Sequence, residues 1–335
     1  MKNIYRGIAV ALMGWSVCFT TPGANADTPR GVAVTPRNFP NHTGVDVDQA
    51  FSYAHDLGRH AVFIYQWGEI DPTVVRALFE KAKNAKLIPI LGLSPTTLDQ
   101  GRKELDLPAT VRRQAGSNVS FSNPIIRAAY IKAATDLARL RPAYLCLATE
   151  INFLALQRLP EYLHFVTLYK EAYAAVKKIS PATKVFVTFQ WEWVRILDAR
   201  EPNRISEHSN VINVFRPELD LVGFTTYPAA FHDAPAQLPS DYYAWMFHHI
   251  PPNEPVLFME VGWPTSGSGN EAEQLAFLRR LPALMKGIHL AGLEWALLHD
   301  VQLGAFDANL NTVGLRYRDG RPKPGYDAFR TLTLP

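Results

Sequence analysis

Short apolar runs rich in β-branched and aromatic residues recur along the chain at residues 31–34, 61–65, 87–93, 143–149, 185–189, 219–225, 255–259 and 290–297. Between most of them the apolar positions fall at helical spacing, over 47–57, 72–85, 124–140, 160–179 and 271–285. Strands alternating with helices predict parallel βαβ units, and eight such strands fit an α/β fold of the (β/α)8 barrel type in a single domain. The rival is a doubly wound open sheet. That fold needs a glycine-rich phosphate turn after its first strand, and the chain has Thr35-Pro36-Arg37-Asn38-Phe39-Pro40 there. Residues 94–123 follow neither period. Because they come after the third strand, they are expected to wall a cleft on the face where barrel active sites are built, with a disordered excursion as the alternative that the polar content of 110–122 also allows. A further helix is expected over 241–250, and the 271–285 helix is expected to start at an Asn270 cap with Glu271 and Glu273 in its first turn.

The N-terminus breaks this pattern. Lys2 and Arg6 precede an apolar stretch over 8–19, and Ala24-Asn25-Ala26 fits the small-x-small cleavage rule, so residues 1–26 read as a signal peptide cut before Asp27. The remaining domain, 27–335, is then expected to be secreted or periplasmic and monomeric, with no stable membrane insertion. Composition adds little specificity: 47% hydrophobic residues can bury a large core, and a formal charge of +3 without a basic block argues against nucleic acid as a partner. Cys18 falls within the signal. Cys146 is then the single cysteine of the exported chain, so no internal disulfide can support it.

Two carboxylates close predicted strands: Glu150 ends the fourth and Glu260 the seventh. By period-two alternation Glu150 shares a face with Cys146 and Ala148, and Glu260 with Val256 and Phe258, so both are expected to point into the barrel. A carboxylate on an apolar strand is costly unless paired or used. Two of them at one mouth suit glycosidic cleavage, in which one donates a proton and the other attacks or stabilises the sugar cation. The predicted strand ends also carry Tyr65, Trp67, Trp191, Trp193, Tyr227, Trp263 and Trp295, whose rings match the flat C–H faces of a carbohydrate substrate. Glu69, Glu192 and Asp300 read as solvated loop carboxylates or subsite contacts. No His-Glu-x-x-His, paired Cys-x-x-Cys, Gly-x-Ser-x-Gly or phosphate loop occurs, and no cofactor or metal is required by the sequence. Two rivals stand beside the glycosidase: a carbohydrate-binding barrel without turnover, and a metal-dependent hydrolase using His55, His60, His208 or His232.

Met259-Glu260-Val261-Gly262-Trp263-Pro264-Thr265, Glu150 on the fourth strand and Trp295 in Leu293-Glu294-Trp295-Ala296 resemble the clan A retaining glycoside hydrolases, most nearly the endo-β-1,4-galactanases (arabinogalactanases) and the β-1,3-glucanases. The resemblance runs from the fourth strand to the closing Lys323-Pro324-Gly325-Tyr326 segment. It implies double displacement with Glu150 as acid/base and Glu260 as nucleophile, Tyr227 bonded to Glu260, and Trp295 flooring the cleft ahead of a cis Trp295–Ala296 bond. Glu150 is then expected to titrate high and Glu260 to stay ionised. The chain departs from the clan at Thr149, where an asparagine usually holds the sugar 2-hydroxyl; Asn152 is the nearest substitute.

Overall fold

A computed structural model describes residues 28–98, 101–304 and 309–335; the signal peptide read over 1–26 lies outside the described residues. Nine strands form one all-parallel sheet: β1 (Arg30–Ala33), β2 (His60–Gln66), β3 (Ile88–Ser94), β4 (Tyr144–Cys146), β5 (Lys184–Phe186), β6 (Thr188–Gln190), β7 (Val222–Thr226), β8 (Val256–Val261) and β9 (Leu290–Trp295). Their order is β5-β4-β3-β2-β1-β9-β8-β7-β6. The two edges are consecutive pieces of one chain segment, interrupted only at Val187. Leu147 N–H donates to Phe186 O (2.8 Å) on one side of that break and Gly223 N–H to Val187 O (3.2 Å) on the other, so the ring closes. The expected (β/α)8 barrel is therefore present, with its fifth position split into β5 and β6, and the seventh position is β8.

The helices fall where the period predicts, with additions. α1 (Gly44–Leu57) and α2 (Pro72–Asn84) follow β1 and β2, and α3 (Ala109–Ala115) and α4 (Pro124–Ala138) follow β3. α5 (Asn152–Gln157) and α6 (Leu159–Ile179) follow β4, and α7 (Trp191–Arg200) and α8 (Ile205–Asn213) follow β6. α9 (Glu271–Leu284) and α10 (Pro324–Arg330) follow β8 and β9. Local chemistry sets their starts. Thr43 and Asp46 cap α1 reciprocally, Asp71 and Asn123 cap α2 and α4 ahead of a first-turn proline, and Asn270 Oδ1 accepts from Glu273 N–H (3.0 Å) at the head of α9. The helix expected over 241–250 is instead a 3₁₀ stretch, Ala244–His248. Among the described residues no helix is long and apolar enough to cross a membrane.

Most strand residues are buried on both faces, as a parallel sheet wrapped by helices requires. The outer layer is aromatic: Phe189 of the sheet meets its neighbour Phe224 and also Phe215, which packs on Tyr162, Phe165 and Tyr169 of α6. Cys146 is buried and unpaired, and burial pushes its thiol up to about 12.

Candidate active site

Glu150 and Glu260 both reach the C-terminal mouth of the barrel, but neither arrives by simple alternation. β4 ends at Cys146, and Glu150 sits beyond it with a left-handed backbone, φ 53°. That conformation is uncommon outside glycine, and here Glu150 N–H is fixed by Thr188 Oγ1 at 2.9 Å. In β8, Phe224 of β7 pairs with Phe258 and Thr225 with Glu260, so Met259 is an extra residue on β8. Met259 points into the barrel, where a Cβ on Gly92 of β3 would stand 2.9 Å from its methyl group, and Phe258 points out onto Tyr243. The bulge re-aims Glu260 into the mouth beside Thr225. The expectation that Glu260 shares a face with Phe258 is thus overturned, while its arrival at the mouth stands.

The two carboxylates share one network. Thr225 Oγ1 donates to Glu150 Oε1 at 2.7 Å, and Arg102 Nε donates to Glu150 Oε2 at 2.7 Å. Tyr227 hydroxyl donates to Glu260 Oε2, the contact the sequence suggested. Gly262 makes room for that ring: a Cβ there would lie 2.7 Å from the Tyr227 edge. Behind the strand, Glu192 is wholly buried rather than solvated. It accepts from Thr226 Oγ1 (2.5 Å), Tyr242 hydroxyl (2.9 Å), Gln190 Nε2 (2.6 Å) and Tyr227 N–H (3.0 Å), and so pins the backbone that presents Tyr227. Burial raises Glu192 above the usual carboxylate range, and its donors pull the other way.

Arg102 is the residue sequence reasoning missed. It lies in the irregular 94–123 stretch, which folds back as a hairpin over the mouth: Thr96 bridges Leu105, Thr97 N–H donates to Glu104 O (2.9 Å), and Asp106 N–H donates to Pro95 O (2.9 Å). Gln157 and Arg158, at the end of α5, donate to the carbonyls of Gly101 (2.5 Å) and Lys103 (2.9 Å). The Arg102 side chain is 9% exposed and that of Glu150 12%, so the ion pair is largely desolvated. This is the cleft wall expected of the segment, with a cation at its tip.

The charge pattern differs from the expected one. Glu260 is the raised group, pushed up to about 7 by burial and then by the negative charge of Glu150, against the pull of Tyr227 and Arg102. The guanidinium stands on Glu150 instead. Burial, together with the neighbouring carboxylates, lifts Tyr227 well above its usual range and keeps it a hydrogen-bond donor.

Four of the expected tryptophans are not at the mouth. Trp67, Trp191, Trp263 and Trp295 are fully buried. Trp67 stands edge-on to Tyr130 of α4, Trp191 to Phe224 and His249, and Trp263 lies on Phe277 of α9. Trp295 packs against Phe277 and Phe329, and its indole N–H donates to Val313 O at 2.7 Å. All four belong to the barrel–helix core. On β9 the inward side chain is Glu294, bonded to His60 Nδ1 at 2.6 Å, which places Trp295 on the outer face. The Trp295–Ala296 bond is trans; the cis bonds among the described residues are Phe39–Pro40 and Arg216–Pro217. Half-buried Trp193 lies at the rim, between Phe153 and the exposed Phe231.

Other candidates also resolve. Thr149 is buried with its hydroxyl unpartnered, and Asn152 spends its amide on the Gln190 backbone (2.9 and 3.1 Å), so neither reaches a sugar. Asp300 pairs with buried Lys323 at 2.6 Å, which ties the closing segment to the barrel, and Glu69 is exposed. Tyr65 is half-buried at the end of β2. His55 is exposed on α1, His60 holds Glu294, His208 holds Asp198, and His232 stands edge-on to Tyr242. Among the described residues no three His, Cys, Asp or Glu side chains converge to hold a metal ion.

Solved structures with the same fold are glycosidase barrels. The exo-β-1,4-mannosidase Op5Man5 from Opitutaceae bacterium strain TAV5 superposes with a TM-score of 0.66 at 17% identity, over 91% of this chain and 58% of the mannosidase. The chain thus spans little more than half that protein's length. The Ignisphaera aggregans GH53 catalytic domain gives 0.66 at 16%, over 93% and 98% of the two chains. GH5_18 from Streptomyces cattleya, in complex with GlcNAc, gives 0.68 at 18%, over 91% and 79%. Likeness at this identity establishes the shared barrel. No protein-family model and no curated protein sequence matches the chain.

Proposed function

We propose that the chain is a retaining β-glycosidase that hydrolyses an oligosaccharide or polysaccharide by double displacement, with Glu150 as acid/base and Glu260 as nucleophile. The observation that carries this reading is the meeting of two electrostatically coupled carboxylates at the C-terminal mouth of a (β/α)8 barrel, one held by Tyr227 and the other by Thr225 and Arg102. In the first half-reaction Glu260 attacks the anomeric carbon while Glu150 protonates the leaving oxygen. In the second, Glu150 takes a proton from water, which displaces Glu260. Tyr227 accompanies Glu260 through both steps and stabilises its ionised form by donating to it. Trp193, between Phe153 and Phe231, is the aromatic surface available to stack a sugar at the rim. Export through the N-terminal signal belongs to the same reading, since extended carbohydrate is met outside the cell.

Glu260→Ala tests it. The variant should lose turnover, and azide should restore part of it while yielding a glycosyl azide of inverted configuration. Near-normal activity without azide would remove Glu260 from the chemistry. The inverted azide product appearing with Glu150→Ala, and the retained one with Glu260→Ala, would exchange the two roles.

The carbohydrate-binding reading without turnover keeps one specific observation in its favour. Thr149 is buried where the resembling clan holds a sugar hydroxyl with asparagine. Binding of oligosaccharide with no release of reducing ends from any β-glycan would select it.

A further inference from the structure

We propose that Arg102 is a specificity-determining residue for an acidic sugar: its guanidinium, seated on Glu150 in the free protein, turns onto the carboxylate of a uronic acid residue at the scissile bond and thereby releases Glu150 to donate a proton. The inference rests on the glycosidase reading and extends it to a substrate class.

The first argument is placement. Arg102 projects from the hairpin tip with φ 43°, a left-handed conformation that an L-residue adopts only when its surroundings impose it. Those surroundings are present on both sides, in the Gln157 and Arg158 bonds to Gly101 and Lys103. The tip is therefore built to hold this side chain over the carboxylates. Nε is committed to Glu150 and Nη1 reaches Ser94 Oγ at 3.3 Å, while no acceptor on the described residues meets Nη2. Part of the guanidinium fork is thus free for an incoming ligand, and a planar carboxylate is the acceptor that fork matches best.

The second argument is chemical. A general acid must carry a proton when the substrate arrives, yet a guanidinium favours the carboxylate form of its partner. In the free protein the guanidinium stands on Glu150, the residue that must donate, while burial and the charge of Glu150 push Glu260, the residue that must attack, up to about 7. A neutral sugar offers Arg102 no better partner. A uronate does: once the guanidinium moves to it, the proton transfers from Glu260 to Glu150. The O–H bond on Glu260 breaks with its electron pair left on that carboxylate, and an O–H bond forms on Glu150. The total charge of the dyad is unchanged. Glu260 is now the ionised nucleophile and Glu150 the acid.

Paired aryl β-glycosides test this on the full exported chain: glucuronide against glucoside, and galacturonide against galactoside, with binding of the free uronic acids and their neutral sugars followed by NMR titration. Wild type should prefer the acidic member of a pair in kcat/KM. Arg102→Gln should lower that preference by about ten- to hundredfold, mostly through the acidic substrate, and Arg102→Lys should restore part of it. Thermal unfolding of both variants checks that the barrel is intact. The inference is overturned if wild type favours neutral substrates and binds no uronate, or if both substrates lose rate equally in Arg102→Gln with no recovery in Arg102→Lys. Turnover of neutral glycosides alone would sink this inference and leave the glycosidase reading standing. Uronate binding that depends on Arg102, without turnover of any glycoside, would overturn the glycosidase reading and the proton-release step with it, leaving Arg102 as a uronate-binding residue alone.

Discussion

Replacing Glu260 with glutamine should stabilise the protein, and only above mildly acidic pH. In the unfolded chain the carboxyl titrates at its ordinary value, 4.5; in the folded protein it is held at about 7, by burial first and by the charge of Glu150 second. Between those values the folded state keeps a proton that the unfolded state has released. Stability therefore falls as pH rises through that window and levels off above it. The displacement corresponds to about 3 kcal/mol, and since the mouth admits solvent about 2–3 kcal/mol is the expected size. Glutamine keeps the shape and an oxygen that can accept from Tyr227, but it does not titrate. Urea unfolding of both proteins at pH 4.5, 6 and 8 isolates Glu260 together with its mutual repulsion with Glu150, because the titrations of groups remote from this pair are common to both proteins and cancel in the difference. The gap between Glu260→Gln and wild type should grow by about 2–3 kcal/mol from pH 4.5 to pH 8. A gap independent of pH, or one that shrinks as pH rises, would refute the claim that Glu260 is protonated near neutrality in the fold.

Other outcomes follow from the same network. Tyr227→Phe removes the hydroxyl that stabilises ionised Glu260, so the acid limb of the kcat/KM profile should move up by about 1–2 pH units; an unmoved limb would separate Tyr227 from the nucleophile. Glu150→Gln should cut hydrolysis of alkyl glycosides by about 10²–10⁴ while sparing activated aryl glycosides, and equal losses on both would argue against a proton donor there. Trp295→Ala should cost about 3–5 kcal/mol in urea unfolding, with KM unchanged in the protein that remains folded; a selective loss of sugar affinity would return Trp295 to the cleft.

The barrel was legible because each strand run is bounded by helical spacing, a pattern that survives even where the fifth strand breaks at Val187. Which way the side chains face was not legible. In a parallel sheet covered on both sides, both faces of a strand are apolar, so alternation carries no phase. That is why Trp295 could be read as inward when Glu294 holds the inner position, and why Trp67, Trp191 and Trp263 were assigned to a cleft when they pack under helices. The bulge at Met259 is invisible for the same reason: one more apolar residue in an apolar run leaves no mark, yet it decides where Glu260 points. That Glu150 and Glu260 reach the mouth was nonetheless legible, because a carboxylate at the end of an apolar strand is conspicuous whatever the phase, and Tyr227 beside Glu260 was expected from the family resemblance. Arg102 had no such contrast. A charged residue in a polar loop reads as solvated, and only the backbone bonds that close the 94–123 hairpin bring it to Glu150.

The ring of tryptophans between barrel and helices also determines what light can report. Indoles sealed in an apolar layer emit at short wavelength and are out of reach of aqueous quenchers. The emission of Trp67, Trp191, Trp263 and Trp295 will therefore follow the integrity of the barrel and stay silent when sugar enters. Among the described residues half-buried Trp193 and Trp245 are the indoles an acrylamide titration can reach, and of these Trp245 is anchored to Asp198 at 2.6 Å on the outer side. Among the described indoles Trp193 is the one placed to change its quenching with a ligand at the mouth, and a chain carrying Trp193→Phe should show the same red shift on unfolding while losing that response.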